Sequence, residues 1–203
     1  MTSHTQMRAM IVKGIRQGMN GLLYGPPGVG KTQILRDAVA ELGLTLKYFS
    51  APTLDPWADL VGIPVPVTVQ TACGPRSRLT FVRPADVEEA EVIIVDELNR
   101  GHPRTQNAVL EMVQFRTING TPLPRLRAVF AAINPSDGGR HVHELDPAMI
   151  DRFDLHFDVR PEPDASYFVE RRNLRPDVAA ALVAWWVCDL TPELRTSVSP
   201  RRL

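Results

Sequence analysis

Residues 25–32 read GPPGVGKT, and this run constrains the fold more than any other part of the chain. Gly25, Gly30, Lys31 and Thr32 satisfy the spacing G-x-x-x-x-G-K-[ST], the pattern of a loop whose backbone N–H groups curl inward around phosphate oxygens. Glycine permits that curl because it adopts backbone angles closed to other residues. A helix that starts beside the loop adds the positive end of its dipole. Lys31 can reach the outer phosphates of a nucleotide, and the Thr32 hydroxyl is a ligand type for Mg²⁺. The flanks supply the required context. Gly21–Tyr24 (GLLY) is a short apolar run suited to a buried strand, and Ile34, Leu35, Ala38, Val39 and Leu42 recur at helical spacing before Gly43, which is placed as a C-terminal cap.

At 203 residues, 44% of them apolar, the chain can hold one ordinary globular domain and a small appendage. The 23 basic and 23 acidic side chains cancel, so the whole-molecule field neither favours nor excludes nucleic acid. Cys73 and Cys188 stand far apart and form no metal or redox spacing, which fits a reducing compartment. The opening MTSHTQMRAM has no apolar signal core, and no apolar run approaches membrane-spanning length. A soluble cytoplasmic protein without membrane contact is therefore expected. The histidines (His4, His102, His141, His143 and His156) lack metal-site spacing.

Further along, apolar runs alternate with helical periods. Residues 5–18 predict an amphipathic helix with Met7, Met10, Ile11 and Ile15 on one side, and Leu44–Ser50 predicts a second strand. Residues 51–84 are rich in Pro and Gly and contain alternating Val65, Val67 and Val69, then Leu79 and Phe81, which predicts a hairpin turning at Cys73-Gly74-Pro75. Pro103 opens a helix over 103–116 with Val109, Leu110, Met112 and Val113 apolar, and Asn119-Gly120 marks a tight turn. Ala128–Ile133 and Leu155–Val159 are the last strands, and after Pro161-Glu162-Pro163 the pattern is helical, including 177–190. Strands alternating with helices indicate an α/β fold with a mostly parallel sheet flanked by helices.

Two further elements carry chemistry. Val92-Ile93-Ile94-Val95-Asp96-Glu97 is a buried-strand pattern that delivers two carboxylates at its C-terminal end, the end where ligands of open α/β sheets bind. Asp96 is suited to the Mg²⁺ shell alongside Thr32, and Glu97 to polarising an attacking water. Asn134 ends the strand AAINP (131–135) and can orient the same water.

Together these motifs resemble the AAA+ ATPases of the MoxR and dynein-related group. GPPGVGKT resembles the Walker A motif, VIIVDELNR (92–100) Walker B, AAINP the sensor 1 strand, DPAMIDRF (146–153) the arginine-finger segment and SPRR (199–202) the sensor 2 segment. The resemblance covers residues 5–203, in the family's order. It implies a P-loop NTPase fold, with a nucleotide-binding α/β domain over 1–160 and the start of a small helical lid over 161–203, which stops within the sensor 2 segment. It also implies that ATP and Mg²⁺ are bound by Gly25, Pro26, Pro27, Gly28, Val29, Gly30, Lys31, Thr32, Gln33 and Asp96, with Arg201 contacting the nucleotide from the lid. Glu97, Asn134 and Arg152 are implied as catalytic, Arg152 acting on the γ-phosphate of a neighbouring subunit, and Ser50 as the polar residue that restrains Glu97. Residues 55–84 match the family's insertion in helix 2 and 114–127 its hairpin before sensor 1, both of which tend to line a ring's pore.

The implied function is an ATPase that works as a homo-oligomer, a hexameric ring, and remodels a protein partner with a von Willebrand factor A domain. The alternative is the NTPase subunit of a nucleic-acid-linked motor of restriction or defence type. Arg76, Arg78, Arg83, Arg125 and Arg127 are available to phosphates, but they lack interleaved aromatics for base stacking. The residues alone do not separate ATP from GTP.

Overall fold

The computed structural model describes residues 4–72, 74–135, 145–161 and 165–191. The central feature is a five-stranded sheet, in the order β2-β5-β8-β1-β9. It is formed by β1 (Gly21–Tyr24), β2 (Leu46–Ser50), β5 (Val92–Asp96), β8 (Ala128–Ile133) and β9 (Leu155–Asp158). Every pairing is parallel, so all the strands end at one edge of the sheet. The α/β fold expected from the sequence is the fold observed.

The side-chain alternation of the central strands explains why their sequences are unbroken apolar runs. Ile93 and Val95 of β5, with Val129 and Ala131 of β8, pack under α4 (Pro103–Phe115) through Val109, Met112 and Val113. Val92 and Ile94, with Ala128, Phe130 and Ala132, face the opposite layer, α1 (His4–Arg16) and α2 (Lys31–Glu41). Both faces are covered, as parallel sheets require. One expectation for α1 needs correction. Met7, Ile11 and Ile15 are buried, but Met10 is 48% exposed and Val12 is buried instead, because the stripe is centred on Ile11 and Ile15 and Met10 falls beyond its edge. A Cβ at Gly14 would lie 2.5 Å from Cδ1 of Leu155 in β9, so this side-chain tip would have to shift to admit one.

The predicted insertion divides into two parts. A π-helical turn, Pro56–Val61, buries Leu60 and Val61 in the core. Beyond it, β3 (Ile63–Thr71) and β4 (Gly74–Val82) form a separate antiparallel ribbon that closes on the pair Thr71 and Gly74. Cys73 lies outside the described residues, and Gly74 belongs to β4 rather than to the turn. After α3 (Ala85–Glu88) and the segment through α4, the Asn119-Gly120 turn joins β6 (Thr117–Ile118) to β7 (Thr121–Pro122). Both turn residues have positive φ, 50° and 71°, the geometry of a tight hairpin turn. The Glu111 carboxylate accepts from Thr117 Oγ1 and from the Asn119 and Gly120 N–H groups at 2.6, 3.0 and 2.8 Å. The four-residue α5 (Pro147–Ile150) precedes β9, and α6 (Ala165–Arg172) and α7 (Pro176–Cys188) pack on one another as the helical pattern predicted. No helix among the described residues is long and apolar enough to cross a membrane.

Candidate nucleotide site

The loop 25–32 leaves the C-terminal end of β1 and runs directly into α2, whose first helical bond is Ile34 N–H to Gly30 O at 2.9 Å. Its glycines are required by geometry. Gly28 and Gly30 have φ of 81° and 93°, and a Cβ on Gly25 would lie 2.1 Å from the carbonyl oxygen of Val159. Val29 is buried and anchors the loop, while Pro26 and Pro27 are exposed. Gln33 spends its side-chain amide on Asp37, one turn along α2, at 2.7 Å.

Lys31 is 6% exposed, and its ammonium is held by three oxygens. It donates to Gly25 O at 2.6 Å, Pro26 O at 2.8 Å and Asn134 Oδ1 at 2.7 Å. Burial pushes it down to about 8, against the pull of Asp96 and Glu97. The folded value lies below the 10.5 of an unfolded chain, so the folded state binds this proton less tightly and loses stability wherever the group is charged. That cost is complete below pH 8 and is relieved as pH rises from 8 towards 10.5. Lys31→Met is therefore expected to be more stable than wild type at pH 7 by roughly 1–3 kcal/mol, with the gap shrinking at pH 9.5. Urea unfolding of the nucleotide-free protein at the two pH values checks this, and a gap independent of pH would contradict it.

Asp96 is the hub of the opposite wall. Its Oδ2 accepts from Thr32 Oγ1 at 2.6 Å and from the Tyr48 hydroxyl at 3.2 Å, and its Oδ1 accepts from the Glu97 N–H at 2.9 Å. Burial, with the neighbouring Asp96 carboxylate, raises the Tyr48 hydroxyl above its ordinary value, so it stays a donor. The Arg36 guanidinium stacks 4.8 Å from the Tyr48 ring centroid. Thr32 Oγ1 and Asp96 Oδ2 form a pair of hard oxygens of the kind Mg²⁺ takes, since that ion uses few protein ligands and keeps several waters. Among the described residues no group of three or more His, Cys, Asp or Glu side chains forms a metal cage.

Glu97 follows in the left-handed conformation, φ 54° and ψ 39°, an uncommon state for a non-glycine residue and one that concentrates at functional sites. Its carboxylate meets Arg100 Nη1 at 3.2 Å through both oxygens and Asn134 Nδ2 at 3.5 Å. Asn134 thus touches Lys31 with one end of its amide and Glu97 with the other. Its backbone carbonyl accepts from Asn99 Nδ2 at 2.7 Å. Ser50 pairs with Asp96 across β2 and β5, but Arg100 and Asn134, not Ser50, hold the Glu97 side chain.

The remaining residues lie elsewhere. Leu155 pairs with Gly21 and Asp158 with Tyr24, so Arg152, which precedes β9, sits at the N-terminal edge of the sheet while the loop 25–32 follows the C-terminal edge. Arg152 is exposed and donates to Gln114 Oε1 at 3.2 Å and to the Ala148 carbonyl. Arg201, His141 and His143 lie outside the described residues. Sequence reading missed Tyr48, Asn99 and Arg100. Asn99 and Arg100 stand within the VDELNR run, and their proximity to Glu97 was the available signal.

The profile of the AAA domain (dynein-related subfamily) matches residues 20–153, from the strand before the phosphate loop to the residue after Arg152. The chain belongs to this family. The AAA domain also resembles the Holliday junction branch migration complex subunit RuvB of Anaeromyxobacter sp. (strain K), 31% identical over 105 residues, which are 50% of this chain and 25% of that protein. The chain spans about a quarter of the length of the curated relatives it matches first. Among solved structures, a Thermotoga maritima RuvB variant superposes with a TM-score of 0.56 at 14% identity, covering 98% of this chain and 70% of that one. NtrX from Brucella abortus, solved in complex with ADP, superposes with a TM-score of 0.55 at 17% identity, covering 89% of this chain and 44% of that one. At these identities the two structures speak to the fold alone.

Proposed function

We propose that the chain binds ATP with Mg²⁺ and hydrolyses it within a hexameric ring to remodel a protein partner. The observation that carries this reading is the convergence of Lys31, the Thr32–Asp96 pair, Glu97 and Asn134 at one edge of the sheet. Lys31 exchanges the Gly25 and Pro26 carbonyls for phosphate oxygens, which restores a full counter-charge to its ammonium. Thr32 and Asp96 would hold the metal, and Tyr48 keeps Asp96 in place. Mg²⁺, when bound, supplies charge neutralisation across the outer phosphates. Glu97 accepts the proton of the attacking water while Asn134 fixes that water's orientation. ATP rather than GTP rests on the family. Steady-state turnover of both nucleotides, with and without DNA, tests the reading and the alternative together. A nucleic-acid-linked motor is favoured by RuvB's place in a branch migration complex, and DNA-stimulated turnover would support it.

The ribbon β3–β4 supports a protein partner. Ile63, Val65, Val67 and Val69 with Leu79, Phe81 and Val82 are exposed, whereas a two-stranded ribbon is marginally stable alone in water. Arg83, at its base, donates to Ile118 O of the second hairpin at 3.4 Å, which ties the two loops together. The partner is proposed to be a protein with a von Willebrand factor A domain, on the MoxR resemblance. Combined Val67→Ser, Val69→Ser and Arg78→Ser substitution is expected to leave basal ATPase activity within twofold of wild type and to remove stimulation by the partner. Loss of ring assembly with partner binding intact would make the ribbon a subunit contact instead. Ile118 is buried and is left unchanged.

A further inference from the structure

We propose that the outer edge of β4 is a docking strand, along which an extended protein segment of alternating acidic and apolar residues pairs with Ser77–Phe81. The inference rests on the reading of the ribbon as a partner-binding element. In an antiparallel pair, alternate residues turn both N–H and C=O towards the partner strand or away from it. Pro64, Pro66 and Pro75 stand opposite Phe81, Leu79 and Gln70, so all three fall in the same alternating set. The closing pair, Thr71 and Gly74, falls in the other set. Proline has no N–H to give the ladder, and its set is therefore the one directed outward. On the β3 side the outer edge then lacks donors at Pro64 and Pro66. On the β4 side Ser77, Leu79 and Phe81 present N–H and C=O together, and β4 has no second neighbour in its sheet.

The two faces of β4 set the chemistry of the occupant. Successive side chains of a strand alternate between faces, which puts Arg76 and Arg78 on one face and Ser77, Leu79 and Phe81 on the other. Both arginines are exposed, and residues 63–82 contain no Asp or Glu to answer their charge. On the opposite face Leu79 is 64% and Phe81 44% exposed. A strand added beside β4 repeats this alternation, so its carboxylates flank Arg76 and Arg78 while its apolar side chains cover Leu79 and Phe81. Opposite charges and apolar pairs on neighbouring strands both stabilise a sheet, and main-chain bonds to the open edge supply the rest of the affinity. A second copy of β4 fits less well, because it brings the same two arginines and no acid.

Fluorescence anisotropy of the full chain with a labelled peptide of alternating Glu and Val, about ten residues long, tests this. Ser77→Pro removes an outward N–H from β4, and Thr68→Pro removes one from β3 at the position directly opposite. Ser77→Pro is expected to weaken peptide binding on the order of tenfold or more, and Thr68→Pro to leave it within about twofold of wild type. Arg76→Glu combined with Arg78→Glu is expected to lose this peptide and to bind one of alternating Lys and Val instead. Equal loss in the two proline variants makes the effect one of ribbon structure and overturns edge pairing. Oligomerisation lost in Ser77→Pro alone makes a neighbouring copy the occupant, and tighter binding of an oligothymidylate than of the peptide assigns the arginines to nucleic acid. Either result overturns the proposal. A wild-type chain that binds neither peptide also overturns it, while the ribbon's role as a partner surface is judged separately by the combined Val67, Val69 and Arg78 substitution.

Discussion

Glu97→Gln is expected to bind ATP as tightly as wild type while losing 10²–10⁴-fold, on the order of a general base's contribution, in phosphate release. The amide keeps the size of the carboxylate and its contact with Asn134, but it cannot accept the proton of water. Nothing in the phosphate cradle depends on that proton. Nucleotide therefore accumulates unhydrolysed, which filter binding with labelled ATP measures directly. Lys31→Ala should give the opposite pattern. It removes the buried ammonium that must meet the phosphates, and charge-assisted hydrogen bonds contribute about 1.5–3 kcal/mol each. Binding should weaken by on the order of 10²-fold or more, so no trapped nucleotide appears. If both variants bound alike, or Glu97→Gln kept the wild-type rate, the division of labour between the loop and the acid would be wrong.

The parts of this molecule that were legible in its sequence are those whose pattern is set locally. The run Val92–Val95 is apolar throughout because both faces of β5 are buried, and Asn119-Gly120 is a turn because both residues tolerate positive φ. The phosphate loop is legible because only glycine fits at residues 25, 28 and 30. Contacts that depend on register between distant strands were not. Tyr48 reaches Asp96 because β2 pairs with β5 so that Tyr48 faces Ile94, and nothing in LTLKYFS indicates that pairing. The Arg100–Glu97 pair depends on one unusual backbone conformation at Glu97, which the residue's own preferences oppose. The four-residue helices α3 and α5 are too short to carry a period. Met10 was misplaced because a stripe's edge cannot be read from spacing without knowing what the helix packs on.

Arg152→Ala is expected to lose on the order of 10³–10⁵ in ATP turnover, the contribution of an arginine supplied to a transferring phosphate, while still binding nucleotide. An arginine at this place in the fold could serve only the site of another copy. Arg152 lies before β9 at the N-terminal edge of the sheet, and the phosphate loop lies beyond the other edge. The four residues of β1 alone separate the edges by about 13 Å. A head-to-tail ring would bring the N-terminal edge of one copy to the C-terminal edge of the next. Each complete site would then combine Lys31, Asp96 and Glu97 of one subunit with Arg152 of its neighbour. The measurement that tests this most directly is turnover by mixtures of Glu97→Gln and Arg152→Ala, each inactive alone, after co-assembly is confirmed. At equal mixing about a quarter of the interfaces pair an intact Glu97 with an intact Arg152, so activity is predicted to reappear and to peak near equal proportions. No activity at any ratio, in rings shown to contain both variants, would contradict a site built between two copies of this chain.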